Sequence, residues 1–156
     1  MKGISLWVEF LIYTSFALAV LSILLYYVHI TISNQQAQIN LKYTVNLLTD
    51  LNYQIDLIGS CYSCTYKFQE DIPNGLTIYI FPGEIESIYY SPINYSLTLP
   101  SYINLNITQL SYNYYLYNFT MNTIPFSITS NNYTIYGNSI CLILNKTENG
   151  YYIYQC

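Results

Sequence analysis

The stretch from Ile4 to Ile32, ISLWVEFLIYTSFALAVLSILLYYVHITI, limits the fold of this chain more than any other. It contains one carboxylate, Glu9, and one imidazole, His29, with no Lys, Arg, Pro or Gly. About 20 apolar residues cross a bilayer as a helix, and a lone segment in lipid satisfies its backbone polar groups only as a helix. The run therefore predicts a single membrane-spanning helix over residues 4–32. A cleaved secretory signal competes for the same residues, since Ala17-Leu18-Ala19 offers a small-x-small site. The apolar core before that site is only about six residues, against the roughly 7–15 such signals use, and the apolar run continues past it. Lys2 places the N-terminus in the cytoplasm by the positive-inside rule. Trp7 at one end and Tyr26, Tyr27 and His29 at the other match interfacial belts.

The polar residues Ser33-Asn34-Gln35-Gln36 follow, without Gly or Pro to end a helix. Ala37, Leu41, Leu48, Leu51, Ile55 and Ile58 then recur at three-four spacing, with Val45 beside the slot taken by Thr44. This is the stripe of an amphipathic helix, and Gly59 is a plausible stop. The prediction is one helix over about 4–58, roughly 80 Å long at 1.5 Å per residue, with residues 33–59 carrying one greasy face.

Residues 60–156 supply what that face must bury against. Thr77–Phe81, Glu86–Tyr90, Tyr95–Leu99 and Asn104–Thr108 are rich in β-branched and aromatic residues, and several alternate with period two. Tyr112–Met121, Phe126–Thr129 and Tyr133–Tyr136 continue the pattern. The clearest hairpin joins Ile140–Leu144 to Tyr151–Tyr154 through Asn149-Gly150, the preferred type I′ pair. The expected fold class is α+β: a long N-terminal helix whose outer half packs on an antiparallel sheet or small sandwich of six to eight strands.

All four cysteines, Cys61, Cys64, Cys141 and Cys156, lie beyond the membrane segment. In an extracytoplasmic domain an even count predicts two disulfides. A redox CxxC would sit at a helix start in a βαβ context, and a four-Cys zinc site would need a second close pair; neither is found. The preferred pairing ties the Cys61/Cys64 turn to the last two strands, one bridge to each of Cys141 and Cys156. Five sequons, beginning at Asn94, Asn106, Asn118, Asn132 and Asn145, fall in the same half. They predict a glycosylated exterior.

The chain has four Lys, no Arg and a formal net charge of −4, so it lacks the basic surface that nucleic acid requires. Its single His excludes a Ser/His/Asp or Cys/His set in the outer domain. Glu84 and Glu86 lie two apart on one short segment, so they do not flank a cleft as a glycosidase pair does. No catalytic residue, metal ligand or cofactor site is expected. The 21 Tyr and the abundant Asn, with only 8% charged residues, describe an uncharged polar surface. Such a surface depends little on ion pairs and so tolerates acid.

Lys2-Gly3, then Ile4-Ser5, then Glu9-Phe10 and unbroken apolar residues, resembles the processing site of archaeal type IV pilin-like proteins, the class III signal peptides. The resemblance covers about 30 residues, by the length of a membrane span and its flank. It implies that a prepilin peptidase-type enzyme cuts between Gly3 and Ile4, leaving residues 1–3 as leader. It also implies that the apolar helix passes from the membrane into a filament core of other pilin subunits. Glu9 becomes the sixth mature residue, one later than is typical of the family. There it would meet the α-amino group of a neighbouring subunit. The expectation is a pilin or minor pilin, exposed on the cell surface and possessing an adhesive exterior. The alternative is a single-pass anchored β-domain that binds a surface-layer or filament partner.

Overall fold

The computed structural model describes residues 2–124, 126–128 and 133–156, and the side chains of residues 2–5 lie outside that description. The sequon Asn132 and the strand position Thr129 also lie outside the described residues. One helix, α1, runs without interruption from Lys2 to Gly59. The chain divides into two compact units, residues 1–36 and 37–156.

In the first unit no part of the apolar window is buried, and Leu6, Trp7, Phe16, Ile23 and Tyr27 are each about two-thirds or more exposed. This helix is long and apolar enough to span a membrane. Its hydroxyls are satisfied internally. Thr14 donates to the Phe10 carbonyl (2.9 Å), Ser15 to Ile12 (3.0 Å), Ser22 to Leu18 (2.8 Å) and Thr31 to Tyr27 (2.9 Å). Each would therefore enter an apolar medium with its donor already used.

In the second unit the expected stripe is the buried face of the helix. Ala37, Leu41, Val45, Leu48, Leu51, Ile55 and Ile58 are all buried, joined by Leu47 and by Thr44. Thr44 fits because its hydroxyl donates to the Asn40 carbonyl (2.9 Å). Buried Asn52 donates its amide to Asp56 Oδ2 (3.1 Å).

The stripe packs on two sheets that share one core. The strands among the described residues are β1 (Cys64–Asp71), β2 (Leu76–Phe81), β3 (Glu84–Ser91), β4 (Ile103–Ser111), β5 (Tyr114–Asn122), β6 (Ser127–Ile128), β7 (Tyr133–Tyr136), β8 (Ser139–Thr147) and β9 (Gly150–Gln155). One sheet has the order β1-β8-β9-β6, the other β4-β5-β3-β2-β7. All neighbours are antiparallel except β6 and β9, which pair in parallel. The inner faces alternate as a half-buried sheet must. Phe68, Ile140, Leu142, Leu144 and Ile153 come from the first sheet, and Ile78, Ile80, Ile85, Tyr117, Phe119 and Met121 from the second.

Three local expectations change. Tyr95–Leu99 belongs to no ladder. Its alternation is still meaningful, because Tyr95, Leu97 and Leu99 pack against the core from outside the sheets. The β8–β9 turn has Glu148 and Asn149 at its centre, since Thr147 pairs with Gly150. Only Gly150 (φ 140°) has a positive φ there, so the turn is not type I′, which needs two such residues. The β2–β3 turn is Pro82-Gly83 with Gly83 at φ 80°, the type II arrangement. Finally, β1 is a strand that composition did not mark: of its eight residues only Phe68 is buried.

Candidate functional site

Gly3 and Ile4 lie on the first turns of α1. Glu9 follows on the exposed helix, between Trp7 and Phe10, whose rings meet edge to face at 6.5 Å. An apolar hollow lined by Leu6, Trp7 and Phe10 lies on the same stretch, and no hydrogen-bond partner of Glu9 is found among the described residues. The structure thus places the three residues of the expected processing and assembly site within the first three turns of one helix.

The disulfides differ from the expected pairing. Cys61 bonds Cys64, and Cys141 bonds Cys156. The reason is register. Antiparallel pairing of β8 with β9 sets Leu142 opposite Gln155, so Cys141 stands opposite Cys156 with Cα atoms 5.4 Å apart. On the other side β1 pairs with β8 so that Cys64 faces Lys146 and Gln69 faces Cys141. Cys64 and Cys141 are therefore five ladder positions apart, about 17 Å at the strand rise, and a bridge cannot span much more than 7 Å between Cα atoms. Cys61 lies in the bend directly after the helix, Cys64 opens β1, and the two close on each other.

That bend is held by a contact the sequence did not reveal. The Tyr151 hydroxyl, from β9, donates to the carbonyl of Gly59 (2.7 Å), one of the helix's terminal acceptors. The Lys146 amine sits 3.5 Å from the centre of the same ring. Gly59 suits a close approach, because a Cβ there would lie 2.9 Å from Ile124 Cδ1 and 3.1 Å from the Tyr151 hydroxyl, so that both side chains would have to give way.

A second hub is Tyr117, fully buried in β5. Its hydroxyl accepts the Tyr95 N–H and faces the carbonyls of Ile93 (3.1 Å) and Tyr95 (3.2 Å). It thus replaces, for the Pro92–Pro100 segment, the partner that a ladder would give. Burial pushes this phenol above its ordinary pKa. Burial also raises Tyr43 on the helix, with the carboxylates of Glu70, Asp71 and Asp50 adding to the effect.

An open cleft of about 420 Å³ lies where that segment meets the helix, lined by Lys42, Val45, Asn46 and Tyr95–Thr98. The Lys42 amine lies 5.7 Å from the centre of the Tyr95 ring. These groups can hold a polar ligand by hydrogen bonds. Among the described residues no cluster of three His, Cys, Asp or Glu is placed to hold a metal ion. Glu84 and Glu86 lie on β3, and Glu86 Oε1 accepts the Asn118 amide (2.7 Å).

The sequons fall into two groups. Asn94 and Asn106 are exposed. Asn118 and Asn145 are half-buried on interior strands: the Asn118 amide is tied to Glu86 with its Oδ1 buried, and Asn145 Oδ1 accepts the Thr65 hydroxyl (3.2 Å). Eleven of the 21 tyrosines are exposed, and the rest divide between the core and its rim. Tyr89 and Tyr117 are buried, Tyr95, Tyr102, Tyr115, Tyr133 and Tyr151 pack against the core, and Tyr90 stacks on Tyr114 at 5.8 Å on the outer face of the second sheet.

No protein-family model, curated protein or solved structure matches this chain.

Proposed function

We propose that the chain is a structural subunit, a pilin or minor pilin, of a type IV pilus-like cell-surface filament. Its helix serves first as membrane anchor and then as filament core, while the disulfide-bonded β-domain faces outward. The observation that carries the reading is the division of labour along α1. One uninterrupted helix leaves its first part bare and apolar on all sides and gives its second part to a closed core. A bare apolar helix needs either lipid or other helices around it. Glu9 supplies a reason for the second: an unpaired carboxylate in an apolar bundle is costly, and an opposite charge beside it is strongly favoured. Cleavage after Gly3 creates such a charge at Ile4.

The test has two parts. Mass spectrometry of membrane-extracted protein should find Ile4 as the first residue; an intact Met1 refutes the processing step. Glu9→Leu should leave the subunit in the membrane, since it only removes an insertion penalty, but should deplete it from sheared surface filaments. Wild-type incorporation of Glu9→Leu sinks the assembly role.

The position of Glu9, sixth after the proposed cut, favours a second reading in which the helix is an anchor only. The β-domain then binds a surface-layer or filament partner, and no filament fraction contains the chain.

A further inference from the structure

Strand edges present unpaired N–H and C=O groups, and proteins guard them with charge, shortness or a cover. The two sheets have four edge strands among the described residues, β1, β6, β4 and β7. Two are short: β6 has two residues and β7 has four. The eight-residue β1 is guarded by charge, with Lys67, Glu70 and Asp71 all exposed. The nine-residue β4 has none of these guards. No charged residue occurs anywhere between Glu86 and Lys146. The residues of β4 from Asn106 to Ser111 are all exposed, including Ile107 (37%) and Leu110 (50%), and among the described residues its only ladder partner is β5. A bulge between Gln109 and Ser111 disturbs only its far end.

In the middle of this edge stands the sequon Asn106-Ile107-Thr108. Asn106 shares a side of the sheet with Asn104 and Thr108, opposite the core-facing Ile103. Its cross-strand neighbour is Asn118, itself the head of a sequon, whose amide nitrogen is spent on Glu86 Oε1 at 2.7 Å. The Asn106 amide has no such engagement. Of this facing pair, the structure leaves one carboxamide nitrogen accessible and closes the other.

We propose that Asn106 carries an N-linked glycan and that this glycan is the guard of the β4 edge, blocking strand-to-strand pairing with a second copy of this chain. The inference rests on the outward placement of the β-domain in the reading above and not on filament assembly. The donor is an oligosaccharide carried on a lipid phosphate. Asn106 Nδ2 forms a bond to the anomeric carbon, and the bond from that carbon to the phosphate oxygen breaks. The lipid phosphate leaves with the electron pair and the amide nitrogen gives up one proton. The product puts a bulky hydrated chain beside the central residue of an uncharged edge.

The experiment uses the full chain extracted from its native membrane in detergent. Chymotryptic mapping should find a hexose-containing mass on the peptide that includes Asn106. Asn106→Gln and Thr108→Ala each remove the sequon at an exposed position and should both lose that mass. By size-exclusion chromatography with light scattering, both should shift from the wild-type mass to dimers and larger species. Asn106→Lys, which has no glycan but restores a charged guard, should return the wild-type elution. Unmodified Asn106 overturns the proposal, and in that case a glycan on Asn94 leaves the outward placement standing. Wild-type elution of both sequon variants, or failure of Asn106→Lys to rescue, overturns the guarding role.

Discussion

Replacing Tyr117 by Phe isolates one hydroxyl. The ring keeps its place, stacked near Phe119 at 6.3 Å and fully buried, so packing is unchanged. What disappears is the acceptor for the Tyr95 N–H and the donor shared between the Ile93 and Tyr95 carbonyls. A buried group left without its partner costs about 1–3 kcal/mol. Ile93 and Tyr95 are only half-buried, so water reaches part of what is lost, which argues for the lower part of that range, about 1–2 kcal/mol. For a domain of this size that corresponds to a fall in Tm of roughly 4–10 °C. Thermal unfolding followed by circular dichroism measures it, and amide exchange at Tyr95 locates it, since its protection should fall far more than that of the β3–β5 ladder. The pH dependence gives a second handle. The folded pKa of Tyr117 is raised above its unfolded value near 10. Its contribution is therefore complete below pH 10 and is lost as pH rises through the folded pKa. Tyr117→Phe should flatten the alkaline decline in Tm. A Tm within 1 °C of wild type (well inside the ~4 °C expected), with Tyr95 exchange unchanged, would refute the claim that this hydroxyl holds the Pro92–Pro100 segment.

The observed disulfide pairing makes a sharp thiol-counting test. Cys61→Ser with Cys64→Ser should leave no free thiol, whereas bridges from that turn to the last two strands would leave two. Removing the Cys141–Cys156 bridge, with a separation of 15 residues, should cost about 3 kcal/mol, less than the ~4.5 expected of a loop near 100 residues. Gly59→Val should lower Tm by several degrees through its clash with Ile124 and Tyr151, a loss of about 1–3 kcal/mol typical of overpacking. Tyr151→Phe should cost less, since the Gly59 carbonyl at a helix end can turn to water. Moving from neutral pH to about pH 3, below the usual carboxylate range, should leave the β-domain folded. Glu86, Asp56 and Glu148 act as hydrogen-bond acceptors for Asn118, Asn52 and Tyr62, not as partners in ion pairs, and unfolding over that interval would contradict it.

What the sequence disclosed follows from which physical signals are local. The stripe from Ala37 to Ile58 was legible because the helix repeat sorts buried from exposed without reference to anything else. A β-domain, as one antiparallel sheet or a small sandwich, was legible from alternation; its division into two sheets was not. Tyr95–Leu99 shows the limit of that signal: alternation reports an extended, half-buried chain, and a core wall satisfies it as well as a ladder does. Strand β1 was hidden because its position at an edge frees all but Phe68 from burial. The bridges were misassigned because pairing depends on register between β1, β8 and β9, which no local pattern encodes. Of the candidate site, Gly3, Ile4 and Glu9 came from a short motif, and the hubs Tyr117 and Tyr151 were invisible among 21 tyrosines.

The hydroxyls of Thr14, Ser15, Ser22 and Thr31 have a consequence for how the helix tells one neighbour from another. Each has committed its only hydrogen to its own backbone. A second helix laid alongside finds smooth contour there and no donor to grip. Contact of that kind is dispersive and non-directional, so sliding by a turn, about 5.4 Å, or rolling about the axis changes little. Alignment information must then come from the ends of the span. At one end are Glu9 and Tyr13, and at the other Tyr26, Tyr27 and His29, all exposed. In such a packing the middle of the helix would set how strongly partners hold together, and its two ends would set where they stop.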